Sequence, residues 1–368
     1  MSLFSSARNA LSALSVEGHL PGFDRAAGWL NSEPLTEDDL RGKVVVADFG
    51  TYTCINWLRT LGYVKAWAEK YEDQGLVLVG VHTPEFPFEA DRENVVQAIE
   101  ALNVEFPIAL DPDYAVWQAF DNHYWPAVYI ADAEGRIRHH QFGEGGYEEC
   151  ERVVQQLLRD AGHEVGDDLI SVVPEGIEAQ ADWGNVESPE TYVGYQQGRN
   201  FASPEGVTVD EARSYSVPDP LRLNSWALSG DWTVEGKAAV LNRAGGSIAF
   251  RFHGRDINLV LRSQTGEAVP FRVLLDGAPP GADAGLDVDG EGNGTLERPR
   301  LYQLVRQHGR IMDRTFEIAF DDDGVEGYVF RYERHFVYWR RLANGDIGIV
   351  TVLHERMHQM DRIRDDAS

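Results

Sequence analysis

The stretch "KVVVADFGTYTCINWLRTLGYVKAWAEKY", residues 43–71, decides how the first part of the chain folds. Val44, Val45 and Val46 open a β-branched apolar run that reaches Phe49, the pattern of a strand. After Gly50 the period changes: Trp57, Leu58, Leu61, Val64 and Trp67 recur at helical spacing, predicting an amphipathic helix over 56–71. Cys54 falls at the junction, where the backbone N–H groups and macrodipole of a helix start favour a thiolate. Three residues on, where a redox pair would carry its second cysteine, stands Trp57.

Working outward, strand and helix signals keep alternating. "GLVLVGVHT" (75–83) reads as a second apolar strand, "DRENVVQAIEALN" (91–103) as a helix opened by acidic residues, and "FPIALD" (106–111) as a strand. "YAVWQAF" (114–120) reads as a short helix, "AVYIADAEGRIRHHQF" (127–142) as a hairpin turning at "AEG", and "YEECERVVQQLLRDAG" (147–162) as a closing helix. Strands alternating with helices imply parallel pairing, and the hairpin adds antiparallel strands, so residues 18–160 read as one mixed α/β domain after an extension over 1–17.

Periodicity is lost over 161–195, a Gly-, Pro-, Ser- and acid-rich stretch read as a linker. From 196 to 330 the rhythm is different: "SIAFRFHGRDINLVLRS", "PFRVLLDG", "RLYQLVRQ" and "RTFEIAFDD" are short alternating strands between turn residues, as in an all-β sandwich of jelly-roll type. Residues 331–368 change composition again, with two strand-like runs joined by "LANGD", and read as an appended β-hairpin tail.

The residues around Cys54 resemble the thioredoxin superfamily. Asp48, six positions before Cys54, matches the buried carboxylate that passes protons to and from the active-site sulfur in that superfamily. "WPAVYI" places Trp125 and Pro126 where the family carries the cis-proline loop that shapes a groove for an extended substrate backbone. "TYTCIN", "RTL", "VKAW", "GVHTPEFPFE", "DNHYWPAVYI" and "HHQFGEGGYEE" are similar, more narrowly, to the thioredoxin-like segment of DipZ proteins and their redoxin relatives (AhpC-TSA, TlpA-like). "NSWALSGDW" and "LNRAGGSIAFRFHGRDINLVL" resemble the carbohydrate-binding-module-like domain that follows thioredoxin in DipZ, and sugar binding is implied by that resemblance alone. The tail resembles the second half of ParE/RelE-type toxins, without the helical half that precedes it there.

The departures bear on mechanism. With Trp57 in the resolving position, attack by Cys54 on a disulfide stops at a mixed disulfide, and oxidation by peroxide stops at a sulfenic acid, until an outside thiol arrives. Gly50 replaces an aromatic residue and Gly62 a helix proline of the family pattern. "TYTC" sets Thr51 three before Cys54, as in the Thr-x-x-Cys of peroxiredoxins, where the hydroxyl contacts peroxide, although Ala47 stands where that motif has proline. The only other cysteine, Cys150, would resolve Cys54 only if the fold brought the sulfurs together, and the last helix of a thioredoxin fold starts well away from the redox motif.

Other constellations carry less. "HERMH" has zinc-protease spacing at His354, Glu355 and His358, but His354 ends a β-rich run and only ten residues follow His358. "DVDGEGNG" begins like a calcium loop with Asp287, Asp289 and Glu291, yet position 298 is Arg, so an acidic turn is expected and no metal or cofactor is assigned. Trp226 and Trp232 could stack on a sugar but are more in keeping with a sandwich core, and His139, His140, His82 and Glu85 read as loop or hairpin residues.

Sixty acidic against 33 basic residues, a net charge of −27, oppose binding to nucleic acid. No stretch reads as a signal peptide or membrane span, so a cytoplasmic location is expected. The function expected is a thiol-dependent oxidoreductase in which Cys54 attacks a disulfide or peroxide, Asp48 handles the proton, Thr51 contacts the oxidant, and Trp57, Trp125 and Pro126 meet the substrate. An external thiol, glutathione or thioredoxin, completes turnover. The competing expectation is a redox-inactive thioredoxin-like scaffold whose sandwich binds a glycan or a partner.

Overall fold

The structure, a computed structural model, describes residues 14–331 and the backbone of His335–Arg341 and Ile347–His354. The chain divides into two compact units, residues 14–51 with 60–173, and residues 52–59 with the chain from 174 onward.

The first unit is built on β1 (Gly18–His19), β2 (Gly28–Leu30), β3 (Val44–Gly50), β4 (Leu76–His82), β5 (Ile108–Leu110), β6 (Ala127–Ala131) and β7 (Arg136–Phe142). They form one sheet in the order β1-β7-β6-β3-β4-β5-β2. β3, β4 and β5 are parallel, while β6 runs antiparallel to β3 and to β7. The helices of this unit are α1 (Glu37–Leu40), α3 (Arg92–Ala101), α4 (Ala115–Ala119) and α5 (Tyr147–Asp160), together with α2 (Ile55–Tyr71) from Thr60 onward.

All seven residues of β3 are buried, which is why its sequence is continuously apolar rather than alternating. Val45, Ala47 and Phe49 pack on one face with Val79, Val81, Trp117, Phe120 and Tyr129. Asp48 shares the other face with Val44 and Val46 by strand alternation. The expected helices and the 127–142 hairpin stand within a few residues of their sequence signals. β1, β2 and α1 gave no apolar period, although Thr36 and Asp39 form a capping box at the start of α1.

Part of the expected linker is held rather than loose. Glu151 of α5 accepts hydrogen bonds from the Tyr71 hydroxyl (2.6 Å) and the Ile170 amide (2.9 Å), and Gln155 donates to the Asp168 carbonyl (2.8 Å). These bonds satisfy a buried carboxylate and fasten the chain to the first unit as far as residue 170.

The second unit holds β8 (Thr191–Tyr192), β9 (Ala212–Tyr215), β10 (Trp226–Val234), β11 (Ala239–Leu241), β12 (Ser247–Phe252) and β13 (Asp256–Ser263). β14 (Val269–Leu275), β15 (Asn293–Leu296), β16 (Arg300–Arg306), β17 (Arg314–Phe320) and β18 (Val325–Arg331) complete it. β8, from the last residues of the expected linker, pairs with β18.

The sandwich is one eleven-stranded sheet curled on itself rather than two separate sheets. β10 turns the corner: Trp226–Ser229 pair with β12, whereas Trp232–Val234 pair with β11. Gly230, at φ +98, makes the bend, and a Cβ there would meet the Gly246 Cα at 2.9 Å. Trp226, Leu228, Trp232, Phe250, Phe252, Phe316, Phe320 and Phe330 fill the interior. β19 (His335–Arg341) and β20 (Ile347–His354) pair with each other as a hairpin. His354 ends β20, while Glu355 and His358 lie outside the described residues.

Candidate active site at the start of the second helix

β3 delivers the chain to the carboxyl edge of the first sheet, where ligands of open α/β sheets bind. Cys54 is the residue before α2, and its carbonyl accepts the first helical bond from the Leu58 N–H at 3.0 Å. The thiol thus stands at the N-cap of a 17-residue helix, where the dipole end is positive. Cys54 and Thr51 are closed off from solvent at 0% exposure, and Asp48 and Trp57, the latter in the first turn of α2, are buried. Among the described residues neither cysteine is in a disulfide.

The register of β3 on β4 carries a residue whose sequence signal pointed only to a loop. Gly50 pairs with His82, and the Thr83 N–H continues the ladder to the Gly50 carbonyl at 3.1 Å. His82 is therefore the last residue of β4, with its Nε2 3.4 Å from the Thr51 hydroxyl. Burial pushes the imidazole down to about 4, against a small opposing pull from a backbone hydrogen bond. The only sequence signal was the run of parallel strands, which sets the ends of β3 and β4 side by side; a lone His after "LVLVGV" does not reveal its partner.

Beyond His82 the edge is ordered by Asp111. Its carboxylate accepts from the Val116 and Trp117 N–H groups at 2.8 Å, starting α4, and from the Thr83 hydroxyl at 3.1 Å. Burial raises this carboxyl above its ordinary value, opposed by those donors. The Trp125 indole donates to the Thr83 carbonyl at 3.0 Å and its ring lies 4.3 Å from that of Trp117. The Trp125–Pro126 bond is cis. Asp48, Thr51, Trp125 and Pro126 are thus carried by strands or strand ends of one sheet, and Cys54 and Trp57 by the helix that follows it.

The remaining candidates resolve differently. Cys150 lies inside α5, its N–H donating to the Gly146 carbonyl at 2.9 Å, and burial pushes its thiol up to about 12. Asp287 accepts from Arg300 (2.6 Å) and the Gln303 N–H (2.7 Å), and Asp289 from the N–H groups of Glu291 and Asn293, so these carboxylates serve a turn. Trp226 and Trp232 are core residues. His140 pairs with Glu17 at 2.7 Å. Among the described residues no helix is long and apolar enough to cross a membrane.

Residues 18–140 match the AhpC/TSA family and residues 188–332 the thioredoxin-like C-terminal domain family. Protein DipZ of Mycobacterium tuberculosis is 34% identical over 321 residues, 86% of this chain and 43% of its own length. The chain thus spans less than half of that relative. Thiol-disulfide oxidoreductase YkuV of Bacillus subtilis is 30% identical over 141 residues, 38% of this chain and 95% of its own. A solved thioredoxin-like protein in its oxidised form is 29% identical with a TM-score of 0.35, covering 40% of this chain and 99% of that one.

Proposed function

We propose, on the premise that this chain belongs to the thioredoxin-like AhpC/TSA family, that it is a thiol-disulfide oxidoreductase working through one cysteine, Cys54. The observation that carries the reading is the position of that thiol, at the N-cap of α2 directly after the buried strand bearing Asp48. A helix start stabilises the thiolate, which is the attacking species.

In the forward step the Cys54 thiolate attacks one sulfur of a substrate disulfide; the S–S bond breaks, and the departing thiolate takes a proton, for which Asp48 is the nearby carboxylate in sequence. A first external thiol attacks the Cys54 sulfur, releasing the second substrate thiol. A second external thiol then frees Cys54 and leaves as its own disulfide. With peroxide, the thiolate takes one oxygen to become a sulfenic acid and hydroxide leaves; two external thiols return Cys54 and release water. Thr51, three residues before Cys54, supports this peroxide variant. Trp57, Trp125 and Pro126 are the residues we assign to the substrate. Glutathione or thioredoxin is the external thiol, which suits a reaction in the cytoplasm, where such thiols are held reduced.

The burial of Cys54 favours one other reading, a scaffold that binds without chemistry. Glycan binding by the sandwich belongs to that reading through resemblance alone, since the buried Trp226 and Trp232 offer no stacking face. Turnover of a small disulfide or of hydrogen peroxide with excess glutathione separates the two. The redox reading expects turnover that Cys54→Ser abolishes and Cys150→Ser keeps; no turnover by the unaltered chain, with either oxidant, selects the scaffold.

A further inference from the structure

We infer that His82 is a positioning residue of the Cys54 site, acting by holding the Thr51 hydroxyl in one orientation. The inference rests on the thiol reading above and deepens it. Three observations and one general principle converge. The β3–β4 register pins the two residues: Gly50 pairs with His82, so Thr51 and His82 are fixed by a ladder that neither side chain makes. The ring nitrogen is 3.4 Å from Thr51 Oγ1, and both residues are buried. A buried hydroxyl whose proton is directed by one partner presents its other lone pairs, or its proton, in a fixed direction, and a prepaid orientation is what electrostatic stabilisation of a charged sulfur or peroxide oxygen requires. Finally, the imidazole stays uncharged through the physiological range, so Nε2 can serve as donor or acceptor to Thr51 without adding a buried cation.

His82 also lines a cavity of about 130 Å³ with Glu89, Arg92, Leu110 and Asp111. The carboxylates there are held by backbone: Glu89 accepts from the Glu85 and Phe86 N–H groups at 2.6 and 2.8 Å, and Asp111 from those of Val116 and Trp117.

The test is a double-mutant cycle on the full chain in a Cys150→Ser background, reading the rate of Cys54 with hydrogen peroxide and with iodoacetamide from pH 5 to 10. His82→Leu and Thr51→Val should each slow the peroxide reaction about tenfold. The double variant should be no slower than Thr51→Val alone, because His82 acts through that hydroxyl. His82→Asn, which keeps a polar nitrogen, should recover part of the rate, and the pH midpoint of alkylation should rise in His82→Leu and Thr51→Val alike. A reactive Cys54 whose rate and pH midpoint ignore His82→Leu, or multiplicative losses in the double variant, overturns the inference and leaves the thiol reading standing. An inert Cys54 in the unaltered chain overturns both.

Discussion

The chain's two cysteines stand near the beginnings of two helices, one before the first turn and one inside it. Cys54 is the N-cap of α2, outside the first turn, at the end of the helix where the dipole is positive. Cys150 is four residues into α5, its own N–H already committed to the Gly146 carbonyl, with the Glu149 carboxylate adjacent. Burial pushes that thiol up to about 12, so at pH 8 roughly one molecule in ten thousand carries a thiolate there. Both side chains are buried, so on the proposed reading what separates them is position, one before the first turn of a helix and one inside it.

The sharpest way to break this contrast is to exchange the roles. Cys54→Ser should reduce disulfide turnover to background, about a thousandfold or more, while Cys150→Ser leaves it intact. Equal losses from the two would remove the contrast altogether. Asp48→Asn should come next, with turnover down about a hundredfold and the pH profile altered, because a buried carboxylate in β3 is the residue assigned to the proton. A loss in KM with kcat and pH profile unchanged would make Asp48 a structural residue.

His82 sharpens the comparison from the side of stability. Its folded value, about 4, lies below the 6.5 of an unfolded histidine. The unfolded chain therefore binds the proton first: the stability associated with keeping the ring neutral is fully present above pH 6.5 and is lost as pH falls toward 4. The loss is on the order of 3 kcal/mol. Urea midpoints at pH 7 and pH 4.5 should fall further apart in the unaltered chain than in His82→Leu; an identical difference in both would place the acid sensitivity elsewhere. The smallest effect is expected of Cys150→Ser, about 1–3 kcal/mol from burying a hydroxyl in place of a thiol, read as a lower urea midpoint.

Much of the fold, and the place in it of the candidate residues, is legible in the amino-acid sequence, for identifiable reasons. A strand covered on both faces must be apolar throughout, so "VVVADF" announces β3 and makes Asp48 conspicuous within it. The switch to helical period locates α2 and hence Cys54 at its start. What escapes depends on partners distant in sequence. β1 and β2 are held by pairing with β7 and β5 and have no period of their own. The chain near residue 170 reads as a linker because the Glu151 bonds that hold it come from α5. The corner in β10 needs only Gly230, and a single glycine in a strand does not say that the sheet will curl. His82 escapes for the same reason: its meaning lies in the register with β3, not in its neighbours along the chain.

One experiment addresses the claim that Cys54 is a working nucleophile: the rate of alkylation of each cysteine in the folded protein between pH 5 and 10, resolved by peptide mass. The helix-start assignment predicts that Cys54 reacts with a midpoint below the value of about 8.5 of a free thiol, while Cys150 stays unmodified until the protein unfolds. A Cys54 that reacts no faster than Cys150, or only with a midpoint at or above that of a free thiol, would contradict it.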